Sequence, residues 1–202
     1  VLNLSLITKP LQEPLTVQEV KDHLRITGTD EDAYLSTIIL PSARMSVETA
    51  LNRALISQTW EWVFDGGFPA SGILRFPKGA FQSVTYIKYT DSDGAEQTWA
   101  STNYNTDTRG QFGRLWLADG ITWPTGLQES TPGVAWIRWI AGYGDDGDDV
   151  PASIRHLILL MCGHIYQHRE LTVTGMTITD IPNTWDAMVM ADRVLDFEHA
   201  PT

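Results

Sequence analysis

Pro151-Ala152-Ser153-Ile154-Arg155-His156-Leu157-Ile158-Leu159-Leu160-Met161-Cys162-Gly163-His164-Ile165 carries the strongest periodic signal in the chain. Ile154, Leu157, Ile158, Met161, Cys162 and Ile165 recur at i, i+3, i+4, i+7, i+8 and i+11. That spacing predicts a long helix buried along one broad face. Pro151 suits its first turn, where a missing N–H costs nothing. Such a helix needs apolar partners, and residues 1–55 supply them. Thr16-Val17-Gln18-Glu19 has the pattern of a capping box, in which the hydroxyl and the carboxylate satisfy each other's backbone N–H. Val17, Val20 and Leu24 follow at helical spacing, and Gly28 reads as the stop. Asp30, Glu31 and Asp32 put negative charge where a second helix begins, at its positive dipole end. Leu35, Ile38, Ile39, Ala43, Val47, Ala50 and Leu51 give that helix its apolar stripe. Pro41 lies inside it and predicts a kink.

Between these helical ends, residues 56–143 hold seven of the eight tryptophans. Aromatic residues suit a pleated, half-buried surface. Trp60, Trp62 and Phe64 alternate with their neighbours, and Val84 to Tyr89 reads as a second strand. Asp93-Gly94 offers a hairpin turn, with the return through Glu96 to Trp99. Arg114 to Leu117 and Val134 to Ile140 are further strand candidates. The Gly- and Asp-rich stretch from Gly142 to Asp149 closes this part. After the long helix, Leu171, Val173, Met176, Ile178 and Ile181 lie in a Thr-rich, alternating stretch that reads as an extended arm over 171–182. Asn183 or Thr184 then caps a last helix with Trp185, Met188, Val189 and Leu195. The expected fold is α+β: a helical bundle from the N- and C-terminal segments with an inserted β-rich region. Its parts are 1–55, 56–143 and 144–202.

Of the 202 residues, 43% are hydrophobic and 19% charged, an ordinary globular balance that excludes wholesale disorder. The net charge is −11. That disfavours gripping nucleic acid, which needs clustered Lys and Arg, and docking on an anionic membrane. One cysteine, Cys162, excludes an intrachain disulfide and a four-Cys zinc site. No apolar run approaches the ~20 residues that span a bilayer. The alternating N-terminus has no signal-peptide pattern. The expectation is a soluble protein made in the cytoplasm.

The candidates for chemistry are few. His164 and His168 are four apart on a helix and can face one metal, with Glu170 as a third ligand. The helical zinc hydrolases would carry Glu at position 165, and Ile165 stands there. The alternative is two surface or interface histidines. Asp91-Ser92-Asp93-Gly94-Ala95-Glu96 does not meet calcium-loop spacing, because Gly94 comes too early. Asp145, Asp146, Asp148 and Asp149 form an acidic loop that is either solvated charge or an ion site. Cys162 on the apolar face reads as a buried structural thiol. No phosphate loop and no nucleophile elbow occur. A carboxylate pair for glycoside hydrolysis stays open, since such a pair need not be close in sequence. Trp60, Trp62, Trp116 and Trp123 are candidates for core or for an exposed interface. No cofactor is expected.

An ordered series of stretches carries a resemblance. It runs through residues 15–26 (Leu15-Thr16-Val17-Gln18-Glu19 onward), Asp30-Glu31-Asp32, Ala43-Arg44, Val47-Glu48 and 53–61. It continues through Phe76-Pro77-Lys78-Gly79, Ser83-Val84, Asp91-Ser92-Asp93-Gly94, Ala141-Gly142-Tyr143-Gly144, 150–155 and 164–170. Together these resemble the head-to-tail connector (adaptor) proteins of tailed bacteriophages, the gp6-like and phiE125 gp8 group, over most of residues 10–170. The resemblance implies a structural role with no catalytic residues. It implies a homo-oligomeric ring, usually a dodecamer, beneath the portal protein at the neck of the virion. It also implies an extended DNA channel and a platform for a stopper or tail protein. The acidic charge suits a lumen through which DNA slides without being held. The arm and the aromatic surface are candidate faces for ring contacts, with strand addition as one mode. Two other readings compete. One is a carbohydrate-binding or adhesin-like β module, from the Trp count. The other is a metallo-hydrolase on His164 and His168.

Overall fold

The computed structural model describes residues 3–110, 112–128, 132–169 and 183–194. It is a mixed α+β fold with antiparallel sheets, divided into two compact units. One holds Leu11–Ile56 and the residues from Gly144 on; the other holds Val1–Pro10 and Ser57–Tyr143.

The first unit is helical. Helix α1 (Val17–Leu24) begins with the predicted capping box: the Glu19 N–H donates to the Thr16 hydroxyl at 3.2 Å, and the Thr16 N–H donates to the Glu19 carboxylate at 2.7 Å. It ends earlier than Gly28. Arg25 takes the left-handed conformation, its N–H reaching Asp22 O, while the Ile26 N–H reaches Lys21 O. These two bonds form a Schellman stop. Asn52 repeats it after α3, with Arg53 reaching back to Glu48 O. Non-glycine residues make both turns, so the first helix stops three residues before Gly28.

The second helical stretch is α2 (Asp32–Tyr34), a π-helical turn (Leu35–Ile39) and α3 (Leu40–Leu51). Pro41 falls just past the π turn, within the first two positions of α3. A proline inside a regular helix removes one bond and clashes with the carbonyl four residues back. Widening the preceding turn relieves both, and the Leu40 N–H bonds Leu35 O, five residues back. The expected kink is thus a π insertion.

Helix α4 (Ala152–Gln167) carries the periodic stripe, and Ile154, Leu157, Ile158 and Cys162 are fully buried. α1 and α3 pack on it. Val20, Leu35, Ile39, Ala43, Val47 and Leu51 complete the core. α5 (Asn183–Asp192) packs on α3 and α4, and the Val194 N–H donates to Leu51 O at 2.9 Å.

The second unit contains two sheets. The larger has the order β1 (Asn3–Thr8), β2 (Gln58–Phe64), β8 (Ala135–Ala141), β4 (Phe81–Thr90), β5 (Glu96–Trp99). The smaller has the order β3 (Ile73–Arg75), β7 (Arg114–Leu117), β6 (Tyr104–Asp107). β8 is the central strand of the larger sheet; Ala135, Ile137, Trp139 and Ala141 alternate inward. Trp139 is fully buried against Phe76, which stacks on Phe81 at 4.5 Å. β1 pairs with β2 in this sheet, with a bulge between Leu6 and Thr8. Composition had grouped those residues with the helical segments, because alternation reveals a strand but not its partner.

Candidate functional site

The charged residues of the helical unit bind its elements to one another. Arg44 is buried, and donates to Glu13 and to Glu48, each at 2.7 Å. Lys21 is buried and pairs with Asp32 at 2.7 Å. Arg155 on α4 bridges Glu19 of the capping box and Asp148 of the acidic loop. The Thr16 backbone N–H, opposed in part by burial and aided by Arg155, holds the Glu19 carboxyl below its ordinary value. At the end of α4, Glu31 accepts from the Tyr166 hydroxyl and from Arg169, and both hold its carboxyl low. The Arg169 guanidinium lies 4.9 Å from the Tyr34 ring centre and 4.5 Å from that of Tyr166. This cluster anchors the chain immediately before residue 170.

The acidic loop is organised by its own carboxylates. Asp146 and Asp149 form a capping box around the 3-10 turn Gly147–Asp149, with the Asp146 N–H donating to Asp149 at 3.1 Å. Gln12 donates to the Asp146 carboxylate at 2.9 Å and to the Asp145 carbonyl. A Cβ on Gly144 would lie 1.9 Å from an Asp149 oxygen, so a larger residue there would displace the Asp149 side chain. Asp148 carries the ion pair to Arg155. Among the described residues, no group of three His, Cys, Asp or Glu side chains could hold a metal. His164 and His168 lie with ring centres 4.7 Å apart, and His168 Nδ1 is 3.0 Å from the His164 carbonyl oxygen. Glu170, the third ligand considered for them, lies outside the described residues. Burial, with a smaller contribution from the Glu13 charge, pushes the Cys162 thiol up to about 12. That is the state of an inert packing thiol.

The tryptophans divide. Trp60 and Trp62 are half-buried on β2, on the face shared with Trp139 and Ile137. Trp123 stacks on Phe68 at 4.5 Å and donates its indole N–H to Ser71 O at 3.1 Å. Trp116 is exposed on β7. Its neighbour across β3 is Ile73, also exposed. Sequence reasoning missed Ile73, because a three-residue strand has too little alternation to show its faces. The arm candidates Leu171, Val173, Met176, Ile178 and Ile181 lie outside the described residues.

Asp91-Ser92-Asp93-Gly94 is a hairpin turn between β4 and β5. Its Asp91 carboxylate accepts from the N–H groups of Asp93 and Ala95 at 3.0 and 2.9 Å.

Residues 14–110 match the family profile of the phage gp6-like head-tail connector proteins. That match spans 97 of the 202 residues. The matched segment begins just before the capping box of α1 and ends three residues past β6. Solved structures extend the likeness to the whole fold. A neck structure of an empty gene transfer agent (GTA) particle, computed with C6 symmetry, contains a chain that is 23% identical, with a TM-score of 0.77 and 96% of both chains covered. Chains of the same coverage occur in a native GTA virion, at 23% identity and TM-score 0.75, and in a native GTA neck computed with C12 symmetry, at 22% and 0.74. No curated protein sequence matches the chain.

Proposed function

We propose that the chain is a structural head-to-tail connector of a tailed phage or phage-like particle. It works at the neck as a ring below the portal, extends the DNA channel, and offers a docking surface to a stopper or tail protein. The observation that carries this reading is the connector match over residues 14–110, with a fold shared along 96% of chains from particle necks. The helical bundle built from both ends of the chain, with the β-rich region inserted, belongs to the same proposal. α1 and α3 packed against α4 support it. The C6 and C12 neck structures favour a closed ring, and a dodecamer matches the higher symmetry.

The charge distribution suits such a ring. The sheet unit has seven Lys and Arg against eight Asp and Glu, and the helical unit has seven against seventeen. Nearly all the net negative charge, −10 of −11, therefore belongs to the helical unit. Facing a channel, that surface would repel phosphate without holding it, which lets DNA slide. The reading assigns the chain no bond-making step. The carbohydrate-binding alternative is not favoured. Trp123 is committed to stacking within the fold, and Trp116 is the one tryptophan exposed among the described residues. The test is to mix the full chain with the portal protein of its own particle and image the product by electron microscopy. A symmetric ring stacked on the portal supports the reading; portals that remain bare overturn it.

A further inference from the structure

We infer that the outer face of the three-stranded sheet is a subunit interface, occupied by the acidic helical unit of a second copy of this chain. The inference rests on the ring reading above. β3, β7 and β6 pair in a register that sets Ile73, Trp116 and Asn105 in one row and Arg75, Arg114 and Asp107 in the next. Alternate residues of a strand share a face, so both rows project together, while Leu74 and Leu115 turn into the core and are buried. On the outward side Ile73 is 58% exposed and Trp116 37%. Beside them, Asp107 is buried and accepts from Arg109 at 2.9 Å and Arg114 at 2.6 Å. Two guanidiniums on one carboxylate leave one positive charge in excess, and Arg75 stands opposite Arg114. A shallow cavity of about 310 Å³ opens between Arg75, Gly110, Phe112 and Arg114.

An exposed Trp–Ile pair flanked by arginines has the composition of an interface hot spot. The charge names the partner. A basic, apolar-centred face is complementary to an acidic surface, and the chain carries one on its own helical unit. A closed ring of identical subunits needs two different complementary faces on each copy, and these two meet that need. Duplex DNA fits less well, because the apolar pair occupies the row where backbone binding would want more cations.

The test replaces Trp116 by a photo-crosslinking amino acid in the full chain. This chain is mixed with isotope-labelled wild type, irradiated, and the products are mapped by mass spectrometry. Links from position 116 to labelled peptides of the helical unit support the inference. Links only to unlabelled peptides, only to the sheet unit, or none, overturn it. In parallel, the triple variant Ile73→Ser, Arg109→Ser, Trp116→Ser keeps Leu74, Leu115 and the Arg114–Asp107 pair. We expect unchanged circular dichroism and self-association weakened about tenfold or more. Rings that persist in the variant overturn this face and leave the ring reading standing. No ring from the wild type, alone or on the portal, together with no links from position 116, overturns both. Duplex retained by the wild type and lost by the variant would assign the face to phosphate instead.

Discussion

Asp107 accepts from the Arg109 side chain and backbone N–H and from the Arg114 side chain, and these hold its carboxyl well below the ordinary range. Glu19, Glu31 and Asp91 shift in the same direction. A carboxyl lowered by folding adds stability that is complete above its unfolded value, near 4. That stability is lost as pH falls through the folded value. Thermal melts should therefore be flat from neutral pH to about 5 and fall below about 4. Asp107→Asn should lower the melting temperature at pH 7 and flatten the acid decline. An unchanged acid slope in the variant would contradict this account. Gly113 gives a second residue-scale prediction. A Cβ there would lie 2.1 Å from the Phe81 ring, which is stacked on Phe76. Gly113→Ala should cost about 1–3 kcal/mol in denaturant titration, the range for forced overpacking; a neutral result would mean that the ring has room to move. Neither site was legible in the sequence. Arg114 reaches Asp107 only because β6 and β7 pair, and Gly113 meets Phe81 only in three dimensions.

At the scale of elements, local rules were legible where they act locally. Thr16 and Glu19 are three residues apart and need nothing else to cap α1, so the capping box could be read directly. Thr16→Ala should cost about 1 kcal/mol of unfolding free energy, measured by chemical denaturation; no loss would show that the cap is not formed in solution. The stripe of α4 was readable for the same reason. β3 and β6 were not. β3 is three residues long, and β6, Tyr104-Asn105-Thr106-Asp107, carries Asn and Asp, which are depleted in strands. Pairing with β7 overrides that propensity. The π turn before Pro41 was legible as a disturbance but not in kind, since a missing N–H permits a bend, a break or a widened turn equally.

For the whole molecule, the ordered charged residues Glu19, Asp32, Arg155 and Arg169 tie helices and their flanks to one another, while Arg44 joins Glu48 of its own helix to Glu13 in the segment before α1. Those positions, Glu13 apart, recur in the stretches that carried the resemblance. The sheet unit was foreseen as aromatic and β-rich, but its outward row of Ile73 and Trp116 depended on a register that only the fold supplies. The surplus acidity of the helical unit was countable from the sequence only after the units were known. The account is tested most directly by the mass of the complex recovered when full-length chain meets its portal. It predicts a discrete species with a fixed whole number of added copies, twelve if the ring follows C12 symmetry. A portal whose mass is unchanged at saturating chain, or one that gains copies without a fixed number, would contradict it.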